Sequence, residues 1–324
     1  MEIKHIDRDT SYILRGLAAA SVVTGHYAKW YGDLHGHTTL IDLISTVGRY
    51  GVAIFLFLSA YGLIYSHSET KKNFALKRIL MVYVPYLVWR FAMILQGGLS
   101  GEEVRDWLLA QENWYIFVQL ILYAIFFVAY RYCGASLEIM AVATVVLSIA
   151  LFACGKGEAW YLSNICFIGG GYWVEAELNG PASSRKGFRG VFNCYFGLYL
   201  KSKESSLWRY ITYALFAVLY FLYCLLELKG IWVYQIVKIL ISVVFVNIVL
   251  IVIERVDLTQ IFSRGFVKKC GVCSLEIYLI HRLFLYLLDI PNPWINMAVA
   301  ICLCLICSFV WNKYYGRFVA RCLK

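Results

Sequence analysis

LRGLAAASVVTGH, residues Leu14–His26, sets an arginine and a histidine inside an otherwise apolar run. Its reading depends on what solvent the run meets. The chain has 324 residues, of which 61% are hydrophobic and 15% charged, and its mean hydropathy is +0.67. No water-soluble core of this length buries so much apolar surface, so the composition places the chain in a bilayer. Apolar runs near the roughly 20 residues that span a membrane fall at 12–28, 43–66, 79–96, 114–130, 136–153, 160–176, 208–228, 231–253, 272–289 and 294–312. The expectation is an all-α, polytopic integral membrane protein of about ten transmembrane helices, with residues 1–324 forming a single domain.

Lys and Arg accumulate in cytoplasmic loops, which gives the ten-helix reading an internal check. With the N-terminus inside, 21 of the 30 Lys and Arg fall on the inner side and four (Lys29, Arg105, Lys156, Lys229) on the outer. The other five, Arg15, Arg49, Arg90, Lys238 and Arg282, lie within the apolar runs. Both termini are then cytoplasmic, and the net charge of +10 reports orientation in the membrane rather than a nucleic-acid partner. The opening MEIKHIDRDTS is polar and leads to no cleavage pattern, so the first helix itself is expected to target the chain. The least regular part is 154–207, where VFNCYFGLYL (191–200) reads as a short interfacial helix and the polar insertion 177–207 is too short for a core of its own.

Arg15 and His26 are eleven positions apart. At roughly 100° per residue that is about 20° beyond three turns, so the two share a helix face about 16 Å apart along the axis. Between them on that face lie Ala18, Ala19 and Val22, small enough for a slender ligand or a neighbouring backbone to fill the gap. Ionisable groups inside membranes usually face a polar interior. Near the other end of the chain, GVCSLEIYLIHRLFLYLL (271–288) sets His281 in mid-span, and Arg282 beside it projects about 100° away, toward a packing or topological role.

Four segments together resemble the family 3 membrane acyltransferases, which O-acylate cell-surface sugars. They are the Arg-to-His spacing of Arg15 and His26; Gly48, Gly51, Val52, Phe55, Phe57 and Ser59; Lys77 and Arg78 leading to Pro85 and Tyr86; and Ser274, Leu275, Tyr278, Leu279 and His281. Ala53, Ala60 and Met81 depart from the family pattern, which leaves the role of the second helix open and points to a subgroup with its own acceptor. The chain resembles the stand-alone type.

The resemblance implies transfer of an acyl group, acetyl first among them, from cytosolic acetyl-CoA to a hydroxyl of a cell-surface or lipid-linked polysaccharide, in the cytoplasmic membrane. Arg15 at the inner mouth binds a phosphate or pantetheine carbonyl, and Lys77 and Arg78 are candidates for a CoA phosphate. His26 is the general base, since neutral imidazole suits proton removal from a sugar hydroxyl; a covalent acyl-histidine is the alternative. His281 is a donor to the thioester oxygen, an orienting partner or a packing contact. Arg49, Trp30 and Trp114 are candidates for the acceptor. No metal is expected: Cys270 and Cys273 form a lone CxxC, and the HGH at 35–37 lacks a third ligand. No nucleotide-binding or hydrolase motif competes. A transporter of a lipid-linked sugar and a catalytically silent subunit remain the other readings, although no repeat relates 1–160 to 161–324.

Overall fold

The computed structural model describes residues 5–66, 73–97, 101–179, 186–288 and 290–323, and among these there is helix and no strand. Of the charges used for topology, Lys4, Lys71, Lys72, Arg185 and Lys324 lie outside the described residues. The chain runs through α1 (Arg8–His35), α2 (Thr39–Ser45), α3 (Val47–Tyr65), α4 (Phe74–Arg78), α5 (Val84–Gly97), α6 (Gly101–Leu108), α7 (Trp114–Arg131) and α8 (Leu137–Ala153). It continues through α9 (Asn164–Asn179), α10 (Lys186–Glu204), α11 (Ser206–Leu228), α12 (Tyr234–Arg255), α13 (Leu258–Ile261), α14 (Phe266–Val272), α15 (Ser274–Leu287) and α16 (Pro293–Cys322). Each of the ten apolar runs overlaps a helix. Among the described residues, five helices are long and apolar enough to cross a membrane by themselves, and a sixth arises if α14 and α15 count as one bent span.

The helices group into two compact units. One comprises Met1–Thr10, Val52–His67 and Ile125–Ile261. Here α10 buries one face, with Phe192, Tyr195, Phe196 and Tyr199 at helical spacing, while Val191, Asn193, Cys194 and Lys201 on the other side are exposed, and Trp173 of α9 packs edge-on to Phe196 and Tyr199 at 5.0 and 4.9 Å. Asn247 of α12, fully buried, clamps the α10 backbone by accepting from the Tyr199 amide (3.0 Å) and donating to the Tyr195 carbonyl (2.9 Å). The aromatic run 191–200 thus forms one face of a longer amphipathic helix, α10, packed against α9 and α12. In the same unit Lys238 is buried between Glu158 and Glu227, at 2.7 and 3.0 Å, with the rings of Tyr223 and Tyr234 over its ammonium. Gly170 meets Phe57 and Ala60 so closely that no side chain fits there.

The other unit comprises Ser11–Gly51, Ser68–Ala124 and Phe262–Lys324. Two of its features depart from straight spans. A π-helical turn, Ile79–Tyr83, links α4 to α5, and the Val84 amide closes it by bonding the Ile79 carbonyl. The next bond of that ladder would run from residue 85 to the Leu80 carbonyl, but Pro85 has no N–H to give. Tyr315 supplies the missing donor, its hydroxyl bonding Leu80 O at 2.5 Å. The second feature is an 88° bend at Cys273 between α14 and α15, so the run 272–289 is the far arm of a broken helix.

Short α14 is laid against α1 through two glycines. A Cβ on Gly16 would strike the Val267 carbonyl and come within 3.1 Å of Gly271 N, and one on Gly271 would strike the Tyr12 carbonyl. Backbone cannot rotate aside as a side chain can. We predict that Gly271→Ala destabilises the protein by about 1–3 kcal/mol, read as a lower thermal midpoint in detergent. Gly316→Ala, where a Cβ meets nothing within 4 Å, is the control expected to cost nothing. Equal midpoints for the two variants would contradict the close approach.

Candidate functional site

The glycines of the second family segment explain how α1 is held. A Cβ on Gly51 would collide with Ser21 and the Ala18 carbonyl, one on Gly48 would lie 3.3 Å from Val22 Cα, and one on Gly25 would lie 2.8 Å from Gly48 N. The backbone of α3 thus occupies the small-residue stripe at Ala18 and Val22. A backbone, one of the two occupants the sequence allowed beside that stripe, lies along its Ala18 and Val22 side, and the glycines of α3 make no such approach to Ala19.

His26 projects from α1 toward α15, where its Nδ1 lies 2.6 Å from Nε2 of His281. The rings are parallel to 5° with centroids 4.9 Å apart. Such a centroid distance follows when the nitrogen–nitrogen line passes through both rings, so they lie edge to edge in one plane and form a hydrogen bond rather than a face-to-face stack. Its direction can be deduced. His281 Nδ1 sits 2.7 Å from the Tyr278 carbonyl and 3.2 Å from that of Ile277, and a carbonyl only accepts, so Nδ1 carries the hydrogen. In the neutral ring Nε2 of His281 is then an acceptor. His26 Nδ1 must donate to it, which leaves the lone pair on His26 Nε2. Tyr27 braces the arrangement by donating to the His281 carbonyl at 3.1 Å. His281 itself is 1% exposed, whereas His26 is half-buried.

A cavity of about 240 Å³ opens on the pair and is also lined by Trp114, Tyr278 and Arg282. Arg282 is exposed, acts electrostatically on both histidines and helps form this cavity, a placement its packing or topological reading did not foresee. Across the cavity Arg90 is paired with Glu112, and the Tyr278 hydroxyl donates to Asn113 Oδ1 at 3.1 Å. Arg90, Glu112 and Asn113 were not singled out from sequence. The available signal was Arg90, a cation within an apolar run.

At the other end of the α1 stripe, Arg15 interacts electrostatically with Tyr12, Tyr115, Tyr123 and a second cation, Arg78. The Arg78 guanidinium lies over the rings of Tyr123 (5.1 Å) and Phe74 (5.3 Å), and its buried Nε has no hydrogen-bond partner among the described residues. Two guanidinium groups sharing one tyrosine repel each other unless an anion joins them, and planar forks of donors suit phosphate. Lys77, next to Arg78 on α4, points about 100° away from it.

The remaining candidates are placed elsewhere. Trp30, 9% exposed, packs with Tyr27, Leu285 and Ala300 in an apolar cluster, and neither it nor Arg49 lines the cavity around His26. His37 bonds Asp42 (2.7 Å) and Asp33 (3.0 Å), whose carboxylates raise its pKa above the ordinary imidazole value. Cys270 and Cys273 are buried thiols at the α14–α15 bend.

A family model described as an acyltransferase domain matches residues 11–313, taking in both histidines, both arginines and nearly all of the chain. No curated protein and no solved structure matches it.

Proposed function

The chain belongs to the family 3 acyltransferases, and from that premise we propose that it is an O-acyltransferase, most simply an O-acetyltransferase, moving an acyl group from cytosolic acyl-CoA to a hydroxyl of a cell-surface or lipid-linked glycan. In this reading the ten apolar runs cross the cytoplasmic membrane with both termini inside, so Arg15 lies toward the cytosol and His26 toward the outer half. The observation that carries the proposal is the hydrogen-bond chain Tyr278 carbonyl, His281, His26, which leaves a lone pair on Nε2 of His26, a residue that lines a cavity.

Each group then has a task. Arg15 and Arg78, with Lys77 nearby, hold the phosphates of the donor. Trp114 offers an aromatic face to the acceptor sugar, and Trp30 and Arg49 lie outside the cavity around His26. As the acceptor oxygen attacks the thioester carbonyl, its proton passes to His26 Nε2. The C–S bond breaks, the ester remains on the glycan, and the departing thiolate recovers the proton from the imidazolium. His281 acts through His26, as an orienting partner.

The test is transfer of label. Purified protein supplied with radiolabelled acetyl-CoA and lipid-linked oligosaccharide is expected to yield labelled oligosaccharide and free CoA. Movement of the oligosaccharide across a proteoliposome membrane with no transfer of label would overturn the proposal in favour of a transporter.

A further inference from the structure

Helix α3 covers α1 on the Ala18 and Val22 side between the arginine and the histidine, so a donor reaching from one to the other along the remaining side needs a second wall to follow. Helix α7 supplies one. Tyr115, Gln119 and Tyr123 are spaced by four residues, each about 40° and 6 Å from the next, and form one ridge of that helix. Both tyrosines interact electrostatically with Arg15. Tyr123 also lies under the Arg78 guanidinium. Tyr115 meets Tyr278 edge-on at 4.8 Å, and Tyr278 lies 6.0 Å from His281. The ridge therefore runs from the arginine pair to the edge of the histidine pair, with Gln119 at its middle.

Gln119 is 2% exposed, and neither its Nε2 nor its Oε1 has a hydrogen-bond partner among the described residues. A carboxamide stripped of water with both donor and acceptor unmet is strongly disfavoured, and in this apolar run a leucine of similar size would avoid the penalty. An orphaned donor beside an orphaned acceptor is matched by a ligand that brings one of each. Resting on the acyl-CoA reading above, we propose that Gln119 binds the pantetheine arm of the thioester donor. A trans amide turns its C=O and N–H in opposite directions, so one carboxamide satisfies both its atoms only by bridging two amides. Pantetheine carries two, separated by a short spacer: Nε2 donates to the carbonyl of one and Oε1 accepts the N–H of the other.

The experiment compares three acetyl donors of decreasing amide content: acetyl-CoA with two, S-acetyl-N-acetylcysteamine with one and S-acetyl-mercaptoethanol with none. For Gln119→Leu, the ratio of kcat/KM for acetyl-CoA to that for S-acetyl-mercaptoethanol is expected to fall about 10- to 100-fold relative to wild type, with a smaller fall for the one-amide donor. A purely structural role for Gln119, or one satisfied by water, lowers all three rates together and leaves the ratio unchanged, and that result overturns the proposal. Should Gln119→Leu fail to fold, Gln119→Met, close to glutamine in length and shape, is read for the same ratio. Wild type that turns over none of the three thioesters overturns the acyl-CoA reading and this proposal with it. Wild type that uses acetyl-CoA while the variant keeps the wild-type ratio overturns the Gln119 assignment alone.

Discussion

His26→Ala will lower kcat for acyl transfer by about 10²–10⁴-fold, the usual worth of a positioned general base, while changing the KM for acetyl-CoA far less. The motive is the tautomer of the pair: His26 Nδ1 is committed to His281, so of the two histidines that line the cavity the free lone pair is on Nε2 of His26. The donor-binding roles proposed for Arg15, Arg78 and Gln119 are remote from that nitrogen, which is why the loss should fall on kcat. Steady-state kinetics with labelled acetyl-CoA and a fixed acceptor measure the split. A variant that turns over at the wild-type rate would remove His26 from the chemistry.

The second large effect concerns a residue that need not touch substrate. His281→Leu deletes the acceptor for His26 Nδ1–H, so the lone pair is no longer held at Nε2 and the ring is free to turn. A loss of roughly 10²-fold in kcat is expected, between the effect of removing a partner that orients a ligating histidine and that of the wrong tautomer in a catalytic triad. A structural explanation would predict the same loss for any replacement. The orienting role predicts instead that His281→Gln, whose side-chain carbonyl accepts the same hydrogen bond, recovers activity to within about tenfold of wild type. If Gln and Leu are equally impaired while both fold, His281 does not act by holding the tautomer.

Much of this arrangement is legible in local sequence. The spacing of Arg15 and His26 fixes a shared face on any regular helix, and the Ser274-to-His281 segment marks the second histidine before any neighbour is known. Periodicity, however, describes one helix at a time. It permits either a ligand or a backbone beside Ala18, Ala19 and Val22, and only the positions of Gly48 and Gly51 show a backbone on the Ala18 and Val22 side. The place of Arg282 in the cavity lining was hidden for a related reason. A 100° offset from His281 rules out a shared direction on α15 but says nothing of a cavity wide enough to be lined by both.

By itself, then, the chain's chemistry determined the solvent, the helical class and which ionisable groups are set within apolar runs, because hydrophobic content and a repeat of about 3.6 residues are properties of the segment alone. Tertiary packing decided the rest: that α14 turns 88° into α15, that Tyr315 supplies the hydrogen bond Pro85 withholds, and that His26 meets His281 nitrogen to nitrogen. Those outcomes join residues up to 255 positions apart. They depend on how closely two backbones approach and on which hydrogen-bonding groups burial leaves unmet, neither of which any single segment contains.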